Sequence, residues 1–244
     1  MLIEKTIERN SKLLKEKEYP GRGIIIGKTS DSTHLVQIYW IMGRSENSKN
    51  RIFIQEKESV KTDLFDKSKS SDTSLIIYNP IKQINDFHIV SNGDQTETIY
   101  QFIKDGKTFE DAINNREFEP DPPNYTPRIS GLIYKDKNEY KYKLSIIKSF
   151  FNDLSCCQRF IYNYSNFING VGHCITTYID NNDPLLSFKG EPFIVKLFDN
   201  IEENCHYYWN LLNQEMLISM CIKFINIKNK NIDIYIKNKN KALM

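Results

Sequence analysis

The chain predicts an α+β fold. Apolar runs of strand character open it, helical patterns with start and stop signals interrupt them, and alternating runs resume after a proline-rich loop. At 244 residues it can bury a sizeable core. The predicted organisation is a helical extension over residues 1–18 followed by one domain over 19–244.

Residues Glu4 to Glu18 set Ile7, Leu13 and Leu14 among charges, predicting a short amphipathic helix that Tyr19-Pro20-Gly21 ends. Arg22 to Gly27 and Leu35 to Met42 predict two strands joined as a hairpin by Lys28 to Thr33. Arg51 to Ile54, Ser74 to Asn79 and Phe87 to Val90 continue the β pattern. A helix is predicted from Asp94, three residues before Glu97 in a capping-box spacing, with Ile99, Phe102 and Ile103 on one face and Gly106 as the stop. Thr108 and Asp111 predict another helix start by the same logic. Arg128 to Tyr134 and Tyr140 to Ile147 predict a second hairpin about the turn at Asp136-Lys137-Asn138. Arg159 to Tyr164, His173 to Ile179 and Phe193 to Phe198 are further strands. Glu202 to Phe224, with Trp209, Leu212, Met216 and Met220, predicts a long helix, and Ile232 to Lys237 an edge strand before a basic tail.

Bulk composition excludes some classes of function. Lys and Arg number 33 against 31 Asp and Glu, so no whole-chain field draws the protein to nucleic acid or acidic membrane, and an anion must be met locally. No leader-like apolar segment and no membrane-length apolar run occur, which predicts a cytoplasmic protein; homo-oligomer formation is left open. The five cysteines form no disulfide framework, and Cys156-Cys157, His173-Cys174 and Cys205-His206 lack the gap that lets two ligands share a tetrahedral ion. No metal is expected, and the thiols are expected to be buried and inert.

Two clusters carry chemistry. Phe118 to Gly131 packs Glu119, Asp121, Tyr125, Thr126 and Arg128 into a loop holding four prolines, so its polar groups are held rather than left to wander. Gly43-Arg44-Ser45 with Asn50-Arg51, at the end of a strand, offers two guanidiniums matched to phosphate oxygens. Ser91-Asn92-Gly93-Asp94 places a turn before a helix where free N–H groups can meet an anion, although Asp94 is expected to cap those donors itself. Neither Gly21-Arg22-Gly23 nor Gly170-Val171-Gly172 continues into a dinucleotide fingerprint.

Tyr19-Pro20-Gly21-Arg22, Gly43-Arg44-Ser45 with Asn50-Arg51, Ile77-Tyr78-Asn79, Ser91 to Ile99, and Thr126-Pro127-Arg128-Ile129 together resemble the archaeal-type IMP cyclohydrolases and their bacterial relatives, in the family's order. The resemblance runs from about Tyr19 to about Asn213. The departures are the 18 residues before Tyr19, Pro20 in place of an aliphatic residue, and the proline-rich loop around Asp121 to Tyr125, which leaves the choice between Glu119 and Asp121 open. The resemblance implies an N-terminal-nucleophile-hydrolase-like sandwich of two sheets between helical layers. Met1-Leu2 offers no Ser, Thr or Cys at position two, so the fold is expected without that family's nucleophile. It also implies closure of 5-formamidoimidazole-4-carboxamide ribotide to inosine 5′-monophosphate without metal or organic cofactor. Proton transfer then falls to Glu119 or Asp121, hydroxyl donation to Tyr78, and oxyanion and phosphate binding to Arg22, Arg44, Arg51 and Arg128. Ser45, Asn50, Asn92, Gly93, Asp94 and Thr126 complete the expected substrate contacts. Two other readings remain: a non-catalytic purine-nucleotide-binding protein of the same fold, and a related cyclohydrolase or amidohydrolase with another substrate, the amidohydrolase using an internal nucleophile such as Ser45 or Cys174.

Overall fold

A computed structural model describes residues 2–69, 76–151 and 153–240. The protein is α+β with two antiparallel sheets. Its strands are β1 (Gly23–Lys28), β2 (His34–Met42), β3 (Arg51–Glu56), β4 (Ser59–Leu64), β5 (Ile81–Ile84), β6 (Phe87–Ser91), β7 (Arg128–Asp136), β8 (Glu139–Phe150), β9 (Asp153–Tyr164), β10 (Val171–Thr176), β11 (Phe193–Lys196), β12 (Leu217–Asn226) and β13 (Ile232–Asn238). The helices are α1 (Leu2–Glu16), α2 (Glu46–Lys49), α3 (Gln95–Lys104), α4 (Phe109–Asn114) and α5 (Ile201–Leu211). One sheet runs β11-β10-β1-β2-β12-β13 and the other β3-β4-β5-β6-β7-β8-β9. Among the described residues no helix is long and apolar enough to cross a membrane.

Strand alternation sorts side chains into separate cores. Ile24 and Ile26 of β1 and Tyr39 and Ile41 of β2 meet Val90, Ile129, Ile133 and Leu144 of the opposite sheet. On the reverse face of the first sheet, Ile25, Ile38 and Trp40 pack with Leu14 of α1 and Cys205, Tyr208 and Trp209 of α5. Ile89, Leu132 and Ile147 of the second sheet receive Ile99 of α3 and Phe109, Ala112 and Ile113 of α4. Each fully buried aliphatic side chain of this kind contributes roughly 1.5–3 kcal/mol.

The predicted helix over Glu202 to Phe224 is corrected. It ends at Leu211, and Leu217–Asn226 is a strand of the first sheet between β2 and β13. Nine of its ten residues are buried, so its apolar run shows no alternation, and such a run cannot be told from a helix by periodicity. The predicted strand over Ser74 to Asn79 is corrected in its described part: 76–80 is irregular and Ser74 and Leu75 lie outside the described residues. β4 and β5, on either side of it, are absent from the sequence-based assignment. Thr108 and Asp111 form the predicted capping box on α4. Asp94, by contrast, makes no side-chain cap to α3.

Candidate active site

The strand ends carry the candidate residues to one place. Arg22 precedes β1, Arg51 opens β3, Arg128 opens β7, and Asn92 follows the last residue of β6. At Gly21 the backbone has φ 73°, and an added Cβ would lie 2.2 Å from Thr177 Oγ1 and 2.6 Å from the Tyr178 ring. Only glycine lets the chain pass this close and turn into β1. Thr177 N donates to Arg22 O (2.9 Å) and Arg22 N to Thr177 Oγ1 (3.1 Å), fixing the Arg22 backbone.

Glu119 is buried among these arginines. Its backbone N–H donates to Thr126 O (3.0 Å), closing the loop, and its carboxylate lies 3.8 Å from Arg128 Nη1. Burial pushes its carboxyl up to about 7, with Asp121's charge adding to the rise and Arg22, Arg128 and Arg51 opposing it. A carboxyl poised near neutrality can both accept and return a proton.

Tyr78 lies close to the same groups. Its backbone is held on Thr62, donating to Thr62 Oγ1 and accepting from Thr62 N, each at 2.9 Å. Its hydroxyl is 2.7 Å from the Tyr39 hydroxyl. Burial raises the Tyr78 hydroxyl above its ordinary value against the pull of Arg51 and Arg22, so it stays a donor. Arg51 is buried; Nε donates to Ser48 O (2.8 Å) while Nη2 is sealed without a partner. Burial and then Arg22's charge lower it. Arg22 is only half-buried, yet its Nε is likewise sealed and unpartnered, and Tyr19, Glu119, Tyr178 and Tyr78 surround it. Two neighbouring guanidiniums, each keeping one buried donor unmet, concentrate positive charge beside Glu119 and Tyr78.

Other predicted residues brace this cluster. Asp121, expected beside Glu119 as an alternative proton carrier, spends both oxygens on Thr126, accepting from N (2.6 Å) and Oγ1 (2.5 Å). Thr126 Oγ1 also reaches the Tyr178 hydroxyl (2.7 Å), whose ring stacks on Tyr19 at 5.9 Å. Arg128 is held by Asp94 (2.5 Å), Gln95 Oε1 (2.8 Å) and Glu117 O (2.9 Å). Asp94 was expected to cap α3; instead it accepts from Arg128 and from Arg116 (2.6 Å), and Arg128's pull contributes to a lowered carboxyl pKa that burial opposes. Asn92 uses both ends of its amide, accepting from Ile129 N and Gln95 and donating to Pro127 O. Gly93 lies against Arg128 and Glu119, since an added Cβ would stand 2.9 Å from Arg128 Nη1 and 3.2 Å from Glu119 Oε1.

Three predicted substrate contacts sit further out. Ser45 caps α2 by accepting from Ser48 N (3.2 Å), and Asn50 ties to Asp66 through N–H and carbonyl contacts of 2.8 and 2.7 Å. Both side chains are thus taken up by the turn that delivers Arg51. Arg44 is exposed, over the Tyr19 ring at 5.4 Å and donating to Asn181 Oδ1 (3.3 Å). Cys174 is fully buried in the core with burial pushing its thiol far up, which disarms it as a nucleophile. Cys156, expected to be buried, is exposed on β9. Among the described residues no cluster of three metal-ligating side chains is found. Tyr39 and Tyr178 escape the sequence analysis because each reads as an ordinary apolar strand or loop residue; Tyr19 lies within a segment that carries the resemblance but was given no role.

With this geometry in place, the comparison with known proteins is decisive: residues 19–230 match the family described as IMP cyclohydrolase-like protein. The chain belongs to that family. Proteins named IMP cyclohydrolase are among its relatives. One from Methanococcus maripaludis strain S2 is 32% identical over 124 residues, covering 49% of this chain and 60% of the relative. One from Methanosphaera stadtmanae is 29% identical over 119 residues (47% and 57%), and one from Methanothrix thermoacetophila 32% over 121 (47% and 57%). The aligned stretch therefore spans under two thirds of these relatives' length.

Proposed function

We propose that the protein is an IMP cyclohydrolase, closing 5-formamidoimidazole-4-carboxamide ribotide to inosine 5′-monophosphate and water. The observation that carries this is Glu119, a buried carboxyl near neutrality beside Arg128 and Arg22, with the Tyr78 hydroxyl in the same cluster. The carboxamide nitrogen attacks the formyl carbon, forming the ring bond; one proton leaves that nitrogen and the formyl oxygen becomes a hydroxyl. Loss of the formamide N–H proton and departure of the protonated hydroxyl as water then give the aromatic ring. Glu119 takes the first proton and returns one to the departing oxygen. Tyr78 donates to that oxygen, backed by Tyr39, while Arg22 and Arg51 stabilise its negative charge. Exposed Arg44, stacked on Tyr19, meets the phosphate at the mouth. Because both reacting groups belong to one molecule, orientation supplies much of the rate.

Arg128, Asp94, Asn92, Asp121 and Thr126 serve as positioning residues, holding Glu119 and the loop about it. Ser45 and Asn50 shape the turn before Arg51. The helices outside both sheets support the four-layer N-terminal-nucleophile-hydrolase-like arrangement, with α1 as an N-terminal extension docked through Leu14 and through Asn10, which donates to Ile194 O (2.9 Å). The test is incubation of the purified protein with the formylated ribotide, followed by the absorbance of the hypoxanthine product. Catalytic product formation is expected; binding without product would return the protein to the nucleotide-binding class.

A further inference from the structure

A cavity of about 310 Å³ opens between the β8–β9 hairpin and the loop at 185–190. Lys148 and Gln158 are direct cross-strand partners, so their side chains share the face turned to this loop. Ser187, Lys189, Leu186 and Phe151 complete the walls used here. Charge in this lining is one-sided: it holds two lysines and no carboxylate. Among the described residues neither lysine is in an ion pair. Lys148 Nζ spends one donor on Phe188 O (2.6 Å), and Lys189 Nζ lies 4.7 Å over the Phe151 ring. Burial, and then the like charge of Lys189, lower the Lys148 ammonium. Phe151 is 70% exposed, its ring packed edge-on with Phe150 at 4.8 Å and lying under the Lys189 ammonium.

This cavity is distinct from the arginine cluster. Thr177 donates its N–H to Arg22 O and accepts at its carbonyl from Phe188 N (3.0 Å), and Tyr178 forms a bridge with Ser187. The 177–178 segment therefore stands between Arg22 on one side and the loop lining the cavity on the other. We propose that the cavity binds a phosphomonoester, its dianionic head between Lys148 and Lys189 and its organic body against Phe151 and Leu186. Two cations with free donors match a dianion, and the aromatic and aliphatic wall matches a body that inorganic phosphate lacks. The inference stands independently of the proposed reaction.

The test uses the full chain with phenyl phosphate, inorganic phosphate and phenol as probes, read by amide hydrogen exchange and by calorimetry. Phenyl phosphate is expected to protect amides at 149–151 and 186–190 and to bind more tightly than inorganic phosphate, with phenol giving no protection. The Lys189→Met variant, altered at an exposed side chain, is expected to bind about ten-fold more weakly, the effect of losing one charged donor. The Lys148→Met, Lys189→Met double variant is expected to lose the protection, while Lys189→Met keeps ribotide turnover. Absence of protection in the wild-type chain at saturating phenyl phosphate, or unchanged affinity in Lys189→Met, would overturn the proposal.

Discussion

Glu119→Gln separates the chemistry of Glu119 from its cost. A glutamine keeps the shape of the side chain and cannot take the amide proton, so turnover should fall by about 10²–10⁴-fold. The wild-type kcat/KM should rise with pH through about 7 as the carboxyl ionises, and the variant should lose that limb. Stability gives an independent reading. The folded-state value is raised from 4.5 to about 7, so between those pH values the native state holds a proton that the unfolded chain has released. The associated stability is fully present below 4.5 and lost as pH rises through 7, amounting to about 3 kcal/mol. Denaturant titrations of both proteins at pH 4.5 and pH 8.5 measure it. The variant should gain on the wild type by about 3 kcal/mol between the two conditions. A stability difference independent of pH, or a wild-type rate limb surviving in the variant, would refute the assignment.

Arg51→Met removes a buried guanidinium whose Nη2 has no partner. Turnover should drop by about 10²-fold or more, while the denaturation midpoint holds or rises, because burial and the like charge of Arg22 both disfavour the guanidinium in the folded chain; a stability loss matching the activity loss would contradict this role. Gly93→Ala places a Cβ 2.7 Å from Gln95 Oε1 and 2.9 Å from Arg128 Nη1, so steady-state kinetics should show kcat falling at least about ten-fold. Lys223 is fully buried, donates to Gln83 Oε1 (2.5 Å), and is lowered by burial from 10.5 to about 7. Its contribution to stability is present above 10.5 and lost as pH falls through 7, so Lys223→Met should remove a rise in stability between pH 7 and 10 in denaturant titrations.

The sheet hairpins were legible because their alternation and turn residues agree, as at β7 and β8 about Lys137. β12 was not, since a strand buried on both faces between β2 and β13 carries no period. Glu119, Tyr78, Arg22 and Arg51 were legible as residue types in short segments, and only folding reveals that they meet. The sequence misjudged the braces: Asp94 looks like a cap and Asp121 like a second acid until their partners, Arg128 and Thr126, are known. Tyr39 and Tyr178 gave no signal, because a tyrosine's role depends on which hydroxyl it reaches across the interior.

The most direct test of a shared ring-closing pocket is a crystal structure with inosine 5′-monophosphate bound. The account predicts the six-membered ring within hydrogen-bond reach of Glu119 and Tyr78, with the phosphate toward Arg44. A nucleotide bound on another face, leaving Glu119 and Arg51 without contact, would contradict it.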